Sequence, residues 1–190
     1  MIFVTSNQHK YQEVSSIMHD YGFIVEWRRM KYQEIQADTT EEISLDSAKK
    51  LAPFLGEEFF LEDTGLYIAA LSGFPGPYSS YVQGTIGNSG ILRLIDGMNR
   101  SAYFLTVITF YDGAEFHQFS GRLKGAIALE IAGKGGFGYD PIFIPEGESL
   151  TLGEIPVSTK NSISHRRKAV TEFLKFLNEH GHFGSTIDGS

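Results

Sequence analysis

The chain has 190 residues, of which 42% are hydrophobic and 21% charged; this fits one folded domain, or one domain with a lobe, and excludes wholesale disorder. A formal charge of −7 argues against broad electrostatic binding to DNA or RNA while leaving room for a local basic pocket. The absence of cysteine excludes disulfides and thiolate metal sites, and no apolar run is long enough to span a bilayer, so the expectation is a cytoplasmic protein with neither nucleic acid nor membrane as partner.

Ile2-Phe3-Val4 reads as a short buried strand, too short for a secretory leader, and Thr5, Ser6 and Asn7 supply turn and cap chemistry after it. Tyr11, Val14, Ile17 and Met18 share one helical face, which predicts a helix over roughly 8–20. Gly22 ends it and Phe23-Ile24-Val25 reads as a second strand, a strand–helix–strand opening of α/β type. A polar loop over 30–40 leads to a helix starting at Glu41-Glu42-Ile43, with Ile43, Leu45, Ala48, Leu51 and Ala52 as its apolar set. Phe59-Phe60-Leu61 is expected to be a strand delivering Glu62-Asp63-Thr64-Gly65 at its C-terminal end, where open α/β sheets bind ligands.

Gly73-Phe74-Pro75-Gly76-Pro77 reads as a rigid turn, and Ile91, Leu92, Leu94 and Ile95 predict a helix from about 88 to 97. Residues 102–111 and 115–120 read as a hairpin around Asp112-Gly113, with Gly121 to Ile131 continuing in extended form. Gly133 to Gly138 must be a loop, and Ile142-Phe143-Ile144 a short strand. A last helix follows Ser164, with Ala169, Val170, Phe173, Leu174 and Leu177 on its apolar face; the tail 184–190 is expected to fray.

Ser164-His165-Arg166-Arg167-Lys168 sets a cluster of cations at a helix start, where the partial positive charge of the N-terminus already disfavours them. An anion among them reverses that sign, which makes the cluster a candidate for a phosphate-bearing ligand rather than a solvated basic helix end. Thr5-Ser6-Asn7-Gln8-His9-Lys10 joins a strand to a helix, so hydroxyls, an amide and free N–H groups can wrap a phosphate, with Lys10 as a point charge; a plain N-cap with a surface lysine is the bland alternative. Glu62 and Asp63 are neighbours on a strand, and alternation turns them to opposite faces. Asp63 can hold a magnesium ion, orient a water or accept its proton, and the second carboxylate of such a site comes from Glu34, Asp38, Glu41 or Glu42. In Gly136-Phe137-Gly138-Tyr139-Asp140-Pro141 the glycines let backbone approach a ligand, and Phe137 can stack on a nucleobase while Tyr139 packs into the core. Lys160, His165 and Arg166 add donors for a base edge or phosphate. The other histidines have no metal-ligand spacing, and neither a P-loop nor Gly-x-Ser-x-Gly is present.

Together Thr5-Ser6-Asn7 with Lys10, Glu62-Asp63-Thr64-Gly65, Gly73-Phe74-Pro75-Gly76-Pro77-Tyr78-Ser79, Gly136-Phe137-Gly138-Tyr139-Asp140-Pro141 and Ser164-His165-Arg166 resemble the inosine triphosphate pyrophosphatase family, in order and approximate spacing. The resemblance implies an elongated α/β fold, a mixed sheet flanked by helices, in a single domain of two lobes over 1–183 with a central cleft, followed by a flexible tail over 184–190, and it implies a homodimer. It implies hydrolysis of ITP, dITP or XTP to the monophosphate and pyrophosphate, with magnesium. Carried over by position, Thr5, Ser6, Asn7, Gln8, His9 and Lys10 cradle the triphosphate, Glu34 and Asp63 hold the metal, and Asp63 also accepts the proton of the attacking water while Lys10 screens the leaving pyrophosphate. Thr64, Phe137, Gly138, Tyr139, Asp140, Lys160, His165 and Arg166 hold the nucleotide and its base. Where some relatives carry an arginine after the Tyr-Ser pair, this chain has Ser80-Tyr81.

Hypoxanthine and xanthine present a 6-keto acceptor where adenine presents an amino donor, so a donor such as Arg166 aimed there favours the former by about 1–3 kcal/mol. The competing readings are a non-catalytic nucleotide sensor, which keeps the cradle without needing Asp63, and a house-cleaning pyrophosphatase for modified pyrimidine nucleotides.

Overall fold

The computed structural model describes residues 1–181. Strand β1 (Ile2–Val4) is buried on both faces, the situation in which a strand reads as an unbroken apolar run. It pairs in parallel with β2 (Glu26–Arg28) and with β3 (Phe59–Ile68). Helix α1 (Gln8–His19) follows β1 as the periodicity predicts. The second strand lies three residues later than expected. Phe23 and Val25 are buried, but Phe23 N–H returns to the Met18 carbonyl to close the helix end, and pairing with β1 starts only at Glu26. As the outermost strand of the sheet, β2 tolerates Glu26 and Arg28.

Helix α2 (Thr40–Leu55) starts one residue before the expected point, because Thr39 and Glu42 form a reciprocal capping box. β3 runs past Leu61 to Ile68, so Glu62-Asp63-Thr64-Gly65 lies inside the strand and not beyond its end. The extension comes from a partner that sequence periodicity did not reveal: Leu66 and Tyr67 pair antiparallel with β4 (Pro75–Gly76), and Leu66 N–H donates to Ser79 Oγ at 2.7 Å. Gly65 is required there, since a Cβ would sit 2.6 Å from the Gly76 carbonyl oxygen. Helix α3 (Ser79–Thr85) is short and was not expected; α4 (Gly87–Leu94) ends before the expected 97.

Strands β5 (Ser101–Tyr111) and β6 (Phe116–Ile127) flank the Asp112-Gly113 turn. The short strand β7 (Phe143–Pro145) pairs antiparallel with β6. Helix α5 (Val157–Ile163) is a further addition to the expected elements, and α6 (His165–Glu179) starts directly after Ser164. The sheet order is β2-β1-β3-β5-β6-β7, with β4 on β3, a mixed α/β architecture as expected.

The chain forms two compact units. The first comprises Met1–Asp63, Thr106–Gly121 and the segment from Arg166; the second comprises Thr64–Leu105 and Arg122–His165. In the first, strand alternation sorts the core into two faces. Phe3 and Phe60 stack at 4.6 Å and meet Val14, Met18, Phe110 and Phe173, while Ile2, Val4, Phe59 and Leu61 pack against Ala48 and Leu51 of α2. In the second, Leu66, Ile68, Phe104, Leu123 and Phe143 of the strands pack with Val82 and Ile91 of α3 and α4. The expected tail over 184–190 lies outside the described residues.

Candidate active site

In the first unit the turn after β1 is built by its own side chains. Asn7 Oδ1 accepts from the backbone N–H groups of His9 (2.9 Å) and Lys10 (3.3 Å), and Thr5 Oγ1 accepts from Asn7 N–H (3.1 Å). Asn7 is thus the N-cap of α1, and Thr5 is buried beneath the turn, its carbonyl accepting from Trp27 Nε1 at 2.9 Å. Ser6, Gln8 and His9 face outward. The first turn of α1 carries no acidic side chain, which leaves its partial positive charge uncancelled from within the helix. Lys10 Nζ lies 3.3 Å from the Glu62 carbonyl oxygen and 3.5 Å from its Oε2.

Alternation along β3 separates the two acidic residues of the motif. Glu62 is buried, whereas Asp63 is partly exposed. Tyr32 lies in the polar loop after β2. Burial pushes its hydroxyl pKa well up, and the charges of Asp63, Glu34 and Glu62 push it in the same direction. Glu34, in the same loop as Tyr32, is exposed and Asp63 is partly exposed. Among the described residues no group of three or more His, Cys, Asp or Glu side chains forms a complete cage. A pair of carboxylates completed by substrate phosphates is the donor set that suits magnesium.

Arg166 is buried at the start of α6 and held by carboxylates on two sides. Its Nε donates to Glu62 Oε2 at 3.3 Å, Nη2 to Glu62 Oε1 at 3.4 Å, and Nη1 to Glu13 Oε2. Desolvation opposes the charge, but Glu62 and Glu13 outweigh it and raise the guanidinium pKa above its ordinary value. Thr106 Oγ1 adds a donor to Glu62 Oε1 at 3.5 Å. Arg167 reaches Asp20 at 3.1 Å. The basic helix start is thus met by carboxylates of the chain itself, and the partner that periodicity could not signal is Glu13, one turn before Ile17 on α1.

In the second unit the Gly136–Asp140 turn closes on itself. Asp140 Oδ2 accepts from Phe137 N–H and from Lys160 Nζ, both at 2.7 Å, and Asp140 and Lys160 are both buried. Gly136 has φ +69°, and a Cβ there would meet Asp140 Oδ2 at 2.0 Å, so the carboxylate occupies the space a side chain would need. Lys160 Nζ also lies 4.9 Å from the centre of the Phe137 ring, a cation–π distance that leaves the partly buried ring flanked by charge. Tyr139 packs in the core and its hydroxyl donates to the Ser79 carbonyl at 2.8 Å; burial raises its pKa. Of the two aromatics in this motif, Phe137 is the more exposed. His165 is buried and stacks on Phe104 at 4.7 Å. Thr64 follows Asp63 in β3 and is partly exposed. Gly138 carries a feature absent from the sequence motifs: its carbonyl accepts from Gln83 Nε2 (3.0 Å) and Asn88 Nδ2 (3.1 Å).

A family model described as the Ham1 family matches residues 1–176. This chain belongs to the Ham1 family. A Ham1-family relative from Thermococcus kodakarensis, described as a dITP/XTP pyrophosphatase, is 49% identical over 94% of this chain and 97% of its own length. One from Methanopyrus kandleri with the same description is 47% identical over 93% of this chain and 95% of its own. Among solved structures, a HAM1 protein from Coxiella burnetii superposes with a TM-score of 0.82 at 28% identity, covering 94% of this chain and 99% of that one. For a Ham1 protein, the sequence motifs fall into a coherent division: the strand–turn–helix cradle, Glu34, Asp63 and the Arg166 network in the first unit, and Phe137, Gly138, Tyr139, Asp140, Lys160 and His165 in the second. Glu13, Gln83 and Asn88 stand outside the sequence motifs. No spacing rule marks them, and only the distances reveal their partners.

Proposed function

We propose that this Ham1-family chain is a nucleoside triphosphate pyrophosphatase that hydrolyses noncanonical purine nucleotides, ITP, dITP and XTP, to the monophosphate and pyrophosphate. It is a hydrolase of phosphoanhydride bonds. The observation that carries the reading is the arrangement in the first unit: a helix N-terminus capped by Asn7, Lys10 at 3.3 Å from the Glu62 carbonyl, and the partly exposed Asp63 next to Glu62 in β3. Relatives at 49% and 47% identity, each described as a dITP/XTP pyrophosphatase, support the same substrate class.

In the proposed reaction a water oxygen bonds to the α-phosphorus, the bond from that phosphorus to the bridging oxygen breaks, and pyrophosphate leaves. The Asp63 carboxylate takes the proton of the attacking water. The N–H groups and side chains of Thr5, Ser6, Asn7, Gln8 and His9 bind phosphate oxygens at the start of α1, and Lys10 offsets the charge of the departing pyrophosphate. Asp63 and Glu34 would hold magnesium, which supplies neutralisation of phosphate charge. Such phosphoryl chemistry is mostly positioning and charge balance. Phe137 offers its ring to the base, and Asp140, Lys160 and His165 hold the base edge, with Thr64, Gly138 and Tyr139 shaping that region. Arg166 takes part in nucleotide binding by the family resemblance, and its observed partners give it a prior task, neutralising Glu62 and Glu13.

The proposed working form is a homodimer of a single Ham1 domain in the cytoplasm, with the nucleotide as substrate and without nucleic acid or membrane partners. Among the described residues no helix is long and apolar enough to cross a membrane. The test is pyrophosphate release from dITP, XTP and ITP against dATP and dGTP, with magnesium and with chelator. Rapid magnesium-dependent release from the first three supports the reading. Binding without turnover would replace it by the sensor.

A further inference from the structure

Gln83 in α3 and Asn88 in α4 lie outside every motif that marks the site, yet both side-chain amides donate to one acceptor, the Gly138 carbonyl, at 3.0 and 3.1 Å. A carbonyl has two lone-pair sites, and two N–H donors fill them. The turn that contains this carbonyl also carries Phe137 and Asp140, and it is tied again to α3 one residue later, where Tyr139 donates to the Ser79 carbonyl at 2.8 Å. The α3–α4 segment thus grips successive residues of the turn from outside, while Asp140 and Lys160 close it from within.

The grip has a cost. Gln83 Oε1 and Asn88 Oδ1 are buried and have no hydrogen-bond partner among the described residues. One donor would satisfy this carbonyl, and a second one brought in with an orphaned amide oxygen of its own adds little to fold stability, so stability alone gives little reason for two amides here. Fixing the direction of one peptide group beside Phe137 does give a reason.

We propose that Gln83 and Asn88 are positioning residues for base recognition: their joint hold on the Gly138 carbonyl sets the pose of Phe137 and Asp140. The clamp governs affinity for the purine base and not the rate of water attack. It rests on the assignment of Phe137 and Asp140 to the base.

Gln83→Glu and Asn88→Asp keep size and remove the donors; Gln83→Met removes the charge question as well and stands in if the acid variant fails to fold. Steady-state kinetics with dITP and magnesium, alongside Phe137→Ala and a thermal melt of each variant, test the proposal. The expected result is KM raised about 3- to 10-fold per variant, and further in the double variant, with kcat within about twofold of the parent. Inhibition by the product dIMP weakens in proportion, while inhibition by pyrophosphate, which has no base, is unchanged. An unchanged KM in the clamp variants beside a raised KM in Phe137→Ala overturns the clamp alone. An unchanged KM in all of them overturns the base assignment and the clamp together. A fall in kcat at unchanged KM also overturns the clamp.

Discussion

Arg166 and Glu62 meet through two hydrogen bonds, at 3.3 and 3.4 Å, although their residues stand 104 positions apart in the chain and both are almost wholly withdrawn from water. A charge buried in this way stays ionised only while its partner is present, and removing one partner strands the other. Glu62 adjoins Asp63 in β3, so this pair fixes the strand from which the proposed catalytic carboxylate projects.

Arg166→Met is expected to destabilise the protein by about 3–5 kcal/mol, because it leaves Glu62 and Glu13 without their main counter-charge. Arg166→Lys recovers only part of that loss, since a lysine cannot reproduce a planar fork that serves carboxylates on two sides. Denaturant unfolding midpoints check both. A loss below about 1 kcal/mol for Arg166→Met would mean that the network is relaxed by solvent.

Phe137→Ala is expected to raise KM for dITP by the worth of one stacking surface, about 1–3 kcal/mol, with a smaller effect on kcat. Gly136→Ala reaches the same end by another route: the new Cβ cannot coexist with Asp140 Oδ2 at 2.0 Å, so the carboxylate must leave its place on Lys160 and Phe137. Initial-rate measurements over a dITP series check both variants.

The first unit was more legible in the sequence than the second, for physical reasons. Ile2-Phe3-Val4 and the 3.6-residue periodicity of α1 and α6 announce themselves because the strand is buried on both faces and the two helices bury a whole face each. The capping Asn7 and the alternation that separates Glu62 from Asp63 are likewise local rules. What stayed hidden was set by partners distant in the chain. β3 extends to Ile68 between β5 and β4, with Ser79 also receiving its backbone, and α3 and α5 are too short for periodicity to show. Phe23 and Val25 are apolar and read as strand, although the ladder with β1 belongs to Glu26-Trp27-Arg28 after them. At the site, residue types announced Lys160 and Asp140 but not their pairing, and nothing local distinguished Gln83 or Asn88 from surface amides.

The turn between β5 and β6 predicts a pH dependence of stability. Asp112 Oδ1 accepts from the N–H groups of Ala114 (2.8 Å) and Glu115 (2.7 Å), and Oδ2 lies 2.8 Å from His117 Nε2. Desolvation pushes the carboxyl pKa up, but Glu115 N–H, the His117 ring and Ala114 N–H outweigh it and hold the pKa down at about 2. A carboxyl depressed from about 3.9 in the unfolded chain contributes stability that is present above that value and is lost as pH falls through about 2. Asp112→Asn is therefore expected to lower the melting temperature near neutrality by the equivalent of about 0.5–1 kcal/mol, a modest figure because solvent screens the site. The gap between variant and parent closes as the pH approaches 2. Melting curves from neutral to acidic pH check this, and a gap that stays constant over that range contradicts it.

In the proposed reaction Asp63 takes the proton of the attacking water. The most direct test of this step is the rate of pyrophosphate release from dITP with magnesium by Asp63→Asn beside the parent chain, with nucleotide binding and the melting temperature measured on the same samples. The account predicts turnover reduced by at least about a hundredfold, the scale of a lost general base, in a variant that is folded and binds nucleotide. Turnover close to that of the parent would contradict it.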